Sequence, residues 1–377
     1  MVKRRHNGEG GISYDESRDS YRAYVINPEG KRIFKRFKNQ TDANIWKTEQ
    51  LSNMHQGIYV VPSDVTLGDF ILTFLASKKQ SVTLSTYEFY INIASHLNPI
   101  AKIRVQDLNA ATIQKLYALL KAEGKLADST IYKVHKLLKA ILNKAIAFKI
   151  IRDNPSNAVE TPRFEKKSID IFSKTEIEQI LRSCHSDSVL KAKYASILLS
   201  VTTGIRLGEM LGLQWRDVLF NTHEIFIQRS LHQSASIGLY SGSPKTKSSI
   251  RKIKLTTAML DELYRLKAER KQISILNDDL VFSTKNNTPI SLRNYERFWM
   301  NLLSERHANI PYKNFHVLRH THATELLAAG IPIIEVSRRL GHAKVSHTLD
   351  LYGHAIPNYD QQIAEKVTQL YVVPRSS

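Results

Sequence analysis

Residues 316–354 read HVLRHTHATELLAAGIPIIEVSRRLGHAKVSHTLDLYGH. Apolar residues recur at helical spacing over 317–328 and again over 332–340, and Gly330 separates the two runs. The segment therefore predicts two short helices joined by a glycine turn. Read alone, it also has the spacing of a helix-turn-helix motif, whose second helix would place its Arg-Arg pair in the major groove of DNA.

The start of this segment carries histidines and an arginine at a spacing suited to phosphate chemistry. His316 and Arg319 stand three residues apart and so share one helix face. Arginine binds phosphate oxygens in pairs, and histidine transfers protons near neutral pH. Because His316, His320 and His322 are three imidazoles in one short run, a metal site is the competing interpretation. It is the weaker one, because His322 would point roughly 120° away from His316 around a helix.

Two more cationic residues lie upstream. In the string TTGIRLGE, Arg206 follows a glycine just inside a predicted helix, and its guanidinium suits phosphate oxygens. From this string alone, an ion pair between Arg206 and Glu209 is the favoured interpretation. Lys245, in the string PKTK, lies where a predicted loop over 238–244 returns to a strand. A loop lysine is usually solvated, but it could also present an ammonium to a leaving oxygen.

Two residues near the end of the segment complete the set. His342 follows a Leu-Gly pair, and Tyr352 lies in the string DLYGH. Such a tyrosine normally packs, and its hydroxyl is a weak nucleophile unless neighbours favour the phenolate or take its proton. The arginines, lysine and histidines would supply those neighbours and would stabilise a pentavalent phosphoryl transition state without a metal ion. A DNA-binding regulator without chemistry does not need Arg206, Lys245 or Tyr352.

The order of these residues resembles that of the tyrosine recombinase (phage integrase) family. The matching strings are TGIRLGE, PKTKSSIRKIKL, HVLRHTHAT and LGHAKVSHTLDLYGH. Each string is modest alone, but six ordered positions are specific. The resemblance implies a catalytic set of Arg206, Lys245, His316, Arg319, His342 and Tyr352.

The resemblance also implies a role for each of these residues. Tyr352 would attack a scissile phosphate, forming a 3′-phosphotyrosine and freeing a 5′-hydroxyl. The two arginines would hold the non-bridging oxygens with help from His342, and His316 would orient the phosphate or accept the tyrosine proton. Lys245 would protonate the departing oxygen, with Lys247 as the alternative acid.

Cofactors and partners follow from the same resemblance. The phosphotyrosine conserves bond energy, so neither ATP nor a metal cofactor is expected. The expected partner is double-stranded DNA with core and arm attachment sites, on which a homotetramer would exchange strands through a Holliday junction. A DNA-bending host factor and an excisionase are candidate accessory partners. The alternatives are a tyrosine-dependent DNA-relaxing enzyme and a non-catalytic DNA-binding regulator.

Breaks near residues 60–63 and 154–167 predict a multidomain chain. Residues 1–60 predict a small α+β domain, with a three-stranded sheet and a helix, that resembles an arm-site-binding domain. Residues 64–160 predict an all-α core-binding domain. Residues 168–377 predict a mixed, mainly-α catalytic domain with a small antiparallel sheet and a carboxyl-terminal tail. The other predicted elements are strands at 21–26, 32–38, 224–231 and 251–255 and helices at 41–52, 129–150, 257–271, 292–306 and 357–370. Capping-box strings at 66–69, 85–88 and 173–176, and caps at Asn109 and at Asp128 or Ser129, predict helix starts. The helix over 129–150 has an apolar stripe for the core at Ile131, Val134, Leu138, Ile141 and Ala145.

The charge is spread along the chain rather than confined to a tail. The 377 residues carry 54 Lys and Arg against 35 Asp and Glu, a net charge of +19. Residues 1–63, 64–166 and 167–377 contribute +4, +6 and +9, as expected of several modules on one polyanion. A single cysteine and the absence of a membrane-length apolar run predict an intracellular protein. With the family resemblance, the expected location is the bacterial cytoplasm in association with the nucleoid, or the host cell cytoplasm for a phage protein. The tail, residues 361–371, could pack on its own or a neighbouring catalytic domain.

Overall fold

The computed structural model describes residues 10–57, 59–60, 62–164, 170–187, 190–242, 247–270, 279–353 and 365–367. The chain divides into two compact units, Met1–Lys166 and Lys167–Ser377. No helix in the described ranges is both long and apolar enough to cross a bilayer.

The first unit begins with a three-stranded antiparallel sheet and a helix, as predicted. Their bounds are β1 Gly11–Asp15, β2 Ser20–Ile26, β3 Arg32–Phe37 and α1 Gln40–His55, and the strand order is β1-β2-β3. The helix begins after Asn39, whose side chain accepts a hydrogen bond from the Asp42 N–H and satisfies a free amide of the first turn. Ala23, Val25 and Ala43 are fully buried between sheet and helix elements.

The inner face of β3 is the one that carries Ile33 and Phe37. The Phe37 ring lies 5.9 Å from the ring of Trp46 on α1. Phe34 points to the other face, where the Arg22 guanidinium lies 4.0 Å above its ring. The sequence left this choice open because both faces of the strand carry charge.

The described residues from 62 to 164 form four α-helices around one apolar core. Their bounds are α2 Leu67–Lys79, α3 Leu84–Ser95, α4 Ala110–Ala122 and α5 Asp128–Ala147. The predicted apolar stripe of α5 is buried throughout, at Ile131, Val134, Leu138, Ile141 and Ala145. Thr66 and Asn109 cap α2 and α4 as predicted, each accepting a backbone N–H from the first turn.

Two predicted helix starts in this part are wrong. The Ser85–Glu88 string predicted a capping box, but α3 begins at Leu84 after Thr83, whose side chain makes no cap hydrogen bond. Likewise α5 is preceded by Ala127 in an extended conformation, so Asp128 is its first helical residue and neither Asp128 nor Ser129 is its cap. In both cases the chain enters the helix before the residue with the better capping side chain.

The second unit consists of helices around two small antiparallel sheets. The helices are α6 Lys174–Ser186, α7 Tyr194–Thr203, α8 Leu207–Leu211, α9 Thr257–Arg270, α10 Leu292–Leu303, α11 Val317–Ala328, α12 Ile333–Leu340 and α13 Val345–Tyr352. The strands are β4 Val218–Leu219, β5 Glu224–Ile227, β6 Ser230–Ser234, β7 Gly238–Gly242 and β8 Arg251–Lys254, paired as β4-β5-β8 and β6-β7. The predicted capping box of Ser173 and Glu176 opens α6.

The sheet region corrects two predictions. The strand predicted over 224–231 is broken into β5 and β6, because Gln228 and Arg229 turn their side chains to the buried Asp217. The loop predicted over 238–244 is mostly β7, which pairs with β6. A run of Gly and Ser has little β propensity, and here the partner strand makes it a strand.

The helix ends also differ from prediction. α10 stops at Leu303 instead of 306, because Ser304 becomes extended and Asn309, with φ of 48°, turns the chain back. α13, which carries Tyr352, was not predicted. The tail helix predicted over 357–370 lies outside the described residues, except that 365–367 are helical.

Candidate active site

The turn between α7 and α8 places the first cationic side chain. Gly204, with φ of +64°, ends α7, and a Cβ there would come within 2.8 Å of His322 and 2.9 Å of Leu340. Only glycine fits this close left-handed turn. Arg206 follows in extended conformation and is the cap of α8 rather than a residue inside it.

Glu209 is a buried carboxylate shared by two arginines. Its Oε1 accepts from Arg206 Nη1 at 2.8 Å, and its Oε2 accepts from Arg251 Nη2 at 2.9 Å. The predicted Arg206–Glu209 ion pair therefore exists, yet a third of the Arg206 side chain stays exposed at 34%. Burial opposes ionisation of Glu209, but the two guanidinium charges outweigh it and lower the pKa of the carboxyl.

Arg251 connects three parts of the site and was not identified from sequence. Besides Glu209, its guanidinium donates to the carbonyl oxygens of Ser249 at 2.9 Å and Arg339 at 2.7 Å. It lies in the string SSIRKIKL. The one feature of the sequence that could have identified it is its position on the buried face of a strand whose residues alternate between buried and exposed.

Arg319 is almost fully buried, with 2% of its surface exposed. Nη1 donates to the Gly204 carbonyl at 2.8 Å and Nη2 to the Leu340 carbonyl at 2.6 Å. Burial, together with the charges of Arg206 and Arg251, lowers the pKa of Arg319 to about 9. This concentration of positive charge makes the surroundings of Arg319 suited to an anion such as a phosphate.

Tyr352, the last residue of α13, lies against α11. Its side chain is 2% exposed, and its Oη is 2.5 Å from His320 Nδ1. Burial raises the pKa of Tyr352 to about 12, although the charges of Arg319 and Arg206 act in the opposite direction. From its spacing, His320 is only a candidate metal ligand, and the sequence does not predict its contact with the hydroxyl.

The other histidines take separate positions. His316 lies edge-on to His320, with ring centroids 4.9 Å apart, and burial lowers the pKa of both to about 4. His342 Nδ1 is 2.7 Å from Thr348 Oγ1, and burial with nearby arginines lowers its pKa to about 3. His322 donates from Nδ1 to the Val201 carbonyl and contacts Arg339 through Nε2.

These positions bear on the competing metal interpretation. In the described ranges, no group of three or more His, Cys, Asp or Glu side chains could hold a metal ion. Five of the six predicted site residues lie close enough together that the charge of Arg206 acts on the other four, which are His316, Arg319, His342 and Tyr352. Lys245 lies outside the described residues, and so does the side chain of Lys247.

Known proteins match both units of the chain. Residues 171–358 match the model of the phage integrase family, and residues 66–161 match the phage integrase SAM-like domain. An XerC-like tyrosine recombinase of Caldanaerobacter subterraneus is 29% identical over 372 residues, covering 91% of this chain and 93% of the relative. The ICEBs1 integrase of Bacillus subtilis is 26% identical over 257 residues, covering 66% of this chain and 67% of the relative.

Solved structures share the fold. The Tn1549 transposon integrase in complex with a circular intermediate DNA superposes with a TM-score of 0.70 at 23% identity, covering 81% of this chain and 100% of that one. The lambda integrase tetramer bound to a Holliday junction gives 0.57 at 16% identity, covering 95% and 99%. The helical content and small antiparallel sheets thus form an integrase-like fold.

Proposed function

The chain belongs to the phage integrase family of tyrosine recombinases, and from this premise we propose which residues perform each step. It is a site-specific recombinase that cleaves and rejoins DNA through a 3′-phosphotyrosine intermediate. The observation that carries the assignment is the Tyr352 hydroxyl, held by a histidine and within the electrostatic influence of Arg206 and Arg319.

We assign the nucleophile to Tyr352 and the binding of the phosphate to the two arginines. In the cleavage step Tyr352 Oη attacks the scissile phosphorus and the bond from phosphorus to the 5′-oxygen breaks. Arg206 has an exposed portion for one non-bridging oxygen, and Arg319 has N–H donors beyond the two already bonded to carbonyls. His342, oriented by Thr348, would bind the same phosphate. Such fixed donors stabilise the charge that develops in the transition state.

The leaving 5′-oxygen needs a proton, which we assign to Lys245. Lys245→Ala should slow cleavage of an ordinary duplex by roughly 10²–10⁴-fold, the usual contribution of a general acid. A 5′-bridging phosphorothiolate should restore the rate, because its thiolate leaving group needs no proton. Cleavage is measured in a single turnover on both substrates. The matched variant Lys247→Ala should be nearly unaffected, and rescue of Lys247→Ala instead would move the role to Lys247.

The three-domain arrangement is part of the proposal. Residues 1–60 would bind arm sites, residues 64–160 would clamp the core site, and residues 168–377 would catalyse strand exchange. The distribution of positive charge over all three segments supports this division. By analogy with the lambda integrase tetramer on a Holliday junction, we propose a homotetramer on DNA. A bending host factor and an excisionase would control direction, and the protein would act on a mobile element in the bacterial cytoplasm, in association with the nucleoid.

A nicked suicide duplex tests the catalytic function directly. Wild-type protein incubated with a duplex carrying its attachment site should give a covalent protein–DNA adduct, because the short cleaved strand diffuses away and blocks rejoining. The adduct is measured as a shifted band on a denaturing gel. DNA binding without an adduct would support a non-catalytic regulator. Relaxation of a supercoiled plasmid that lacks the site would support a DNA-relaxing enzyme.

A further inference from the structure

We propose that His320, rather than His316, accepts the proton of the Tyr352 hydroxyl when the tyrosine attacks DNA. The inference rests on the proposed catalytic function of Tyr352. It assigns a catalytic contact to a histidine that has no role in the catalytic set described above.

The contact geometry favours His320. Its Nδ1 lies 2.5 Å from Tyr352 Oη, and the two rings are 5.5 Å apart between centroids. His316 stands one helical turn earlier and meets the His320 ring edge-on, with no hydrogen bond to Tyr352 among the described residues. The hydroxyl is thus oriented by α11 through His320.

The protonation state of His320 suits an acceptor. The groups that face it are Arg319 on its own helix, His316 at the cap that precedes this helix, and His347 and Tyr352 on α13. Burial first, and then the charges of Arg319 and His347, lower the pKa of His320 to about 4. The imidazole is therefore neutral near pH 7. In the tautomer that carries its hydrogen on Nε2, the Nδ1 lone pair accepts from the hydroxyl, and this is the tautomer that the proposal requires.

The proton balance of the step is complete. As the bond from Tyr352 Oη to phosphorus forms, the phenolic proton passes to His320 Nδ1, and the bond from phosphorus to the 5′-oxygen breaks. The departing oxygen takes its proton from the lysine assigned above. A phenolic oxygen bonded to phosphorus is far more acidic than free tyrosine, so even a weakly basic imidazole can take its proton. On rejoining, the imidazolium returns this proton to the leaving tyrosine oxygen.

A pair of asparagine variants separates proton transfer from mere positioning. In His320→Asn the amide oxygen can still accept a hydrogen bond near the Nδ1 position, but it cannot hold a proton. Single-turnover cleavage by this variant should fall by roughly 10²–10³-fold, with a rate that rises as pH increases. Added imidazole should partly restore His320→Ala. The control His316→Asn should lack this pH dependence, and His316→Ala should not be restored by imidazole.

Further measurements distinguish loss of the proton acceptor from defects in leaving-group protonation, DNA binding or folding. A 5′-bridging phosphorothiolate should not rescue His320→Asn, because the leaving-group step is unaffected. Gel shift and thermal unfolding should match wild type. Near-wild-type cleavage by His320→Asn, or the pH-dependent loss appearing in His316→Asn instead, would overturn the proposal. If wild-type protein forms no adduct through Tyr352, the proposed function is wrong. If wild type forms the adduct and His320→Asn cleaves at the same rate, only the role of His320 is contradicted.

Discussion

Tyr352→Phe should abolish the covalent adduct with a suicide duplex and leave the gel shift unchanged. The phenyl ring stays in place because it packs in a small apolar cluster with Leu327, Val336 and Leu340. The lost hydroxyl removes the nucleophile and one hydrogen bond to His320, a stability cost of only about 1 kcal/mol. We therefore expect a folded, DNA-binding protein with no detectable cleavage.

A second buried tyrosine of the same unit provides the control. Tyr295 is fully buried and its Oη is 2.6 Å from Ser196 Oγ, so Tyr295→Phe loses a comparable hydrogen bond. It should unfold at a similar temperature to Tyr352→Phe but cleave at the wild-type rate. Persistence of the adduct in Tyr352→Phe would place the nucleophile on another residue.

Glu209→Gln should lower both stability and cleavage sharply. The glutamine leaves Arg251 buried without its counter-charge and frees Arg206 from its orienting carboxylate. Breaking a buried ion pair from one side typically costs about 3–5 kcal/mol. We expect a loss of that size in the free energy of unfolding, measured by denaturant titration at about pH 7.

The effect of Glu209→Gln on the free energy of unfolding should depend on pH. The folded-state pKa of Glu209 is lowered, so its stabilisation is present above the unfolded value of roughly 4.3 and is lost as pH falls through the folded value. The stability difference between wild type and Glu209→Gln should therefore shrink in acid. An exposed ion pair is the control: Glu335→Gln, which breaks the contact with Arg338, should change stability by less than about 0.5 kcal/mol. A loss below about 1 kcal/mol in Glu209→Gln would contradict the shared-carboxylate interpretation.

Local patterns predicted much of the fold. The apolar stripe of α5 and the caps at Thr66, Asn109 and Ser173 depend on residues within one or two turns, so the string itself contains the signal. β7 was missed because a Gly and Ser run becomes a strand only when β6 lies beside it.

The same distinction between local patterns and long-range contacts applies to the candidate active site. The ordered motifs predicted which residue types gather, but not the pairings among them. His316 caps α11 and His320 lies in its first turns, and only the position of α13 decides which of them meets Tyr352. Arg251 contacts partners 42 and 88 residues away in sequence, a relation that no local spacing records.

The two carbonyls that bind Arg319 have a consequence for its electrostatics. Gly204 is the carboxyl cap of α7 and Leu340 is the last residue of α12, so Arg319 lies at the carboxyl ends of two helices. Each helix dipole places roughly half a negative charge at that end. The cation is thereby compensated by the negative ends of two helix dipoles. Among the described residues its bonded acceptors are carbonyl oxygens, with no carboxylate that would compete with a phosphate for the guanidinium. A buried arginine held in this way keeps its full charge available to DNA.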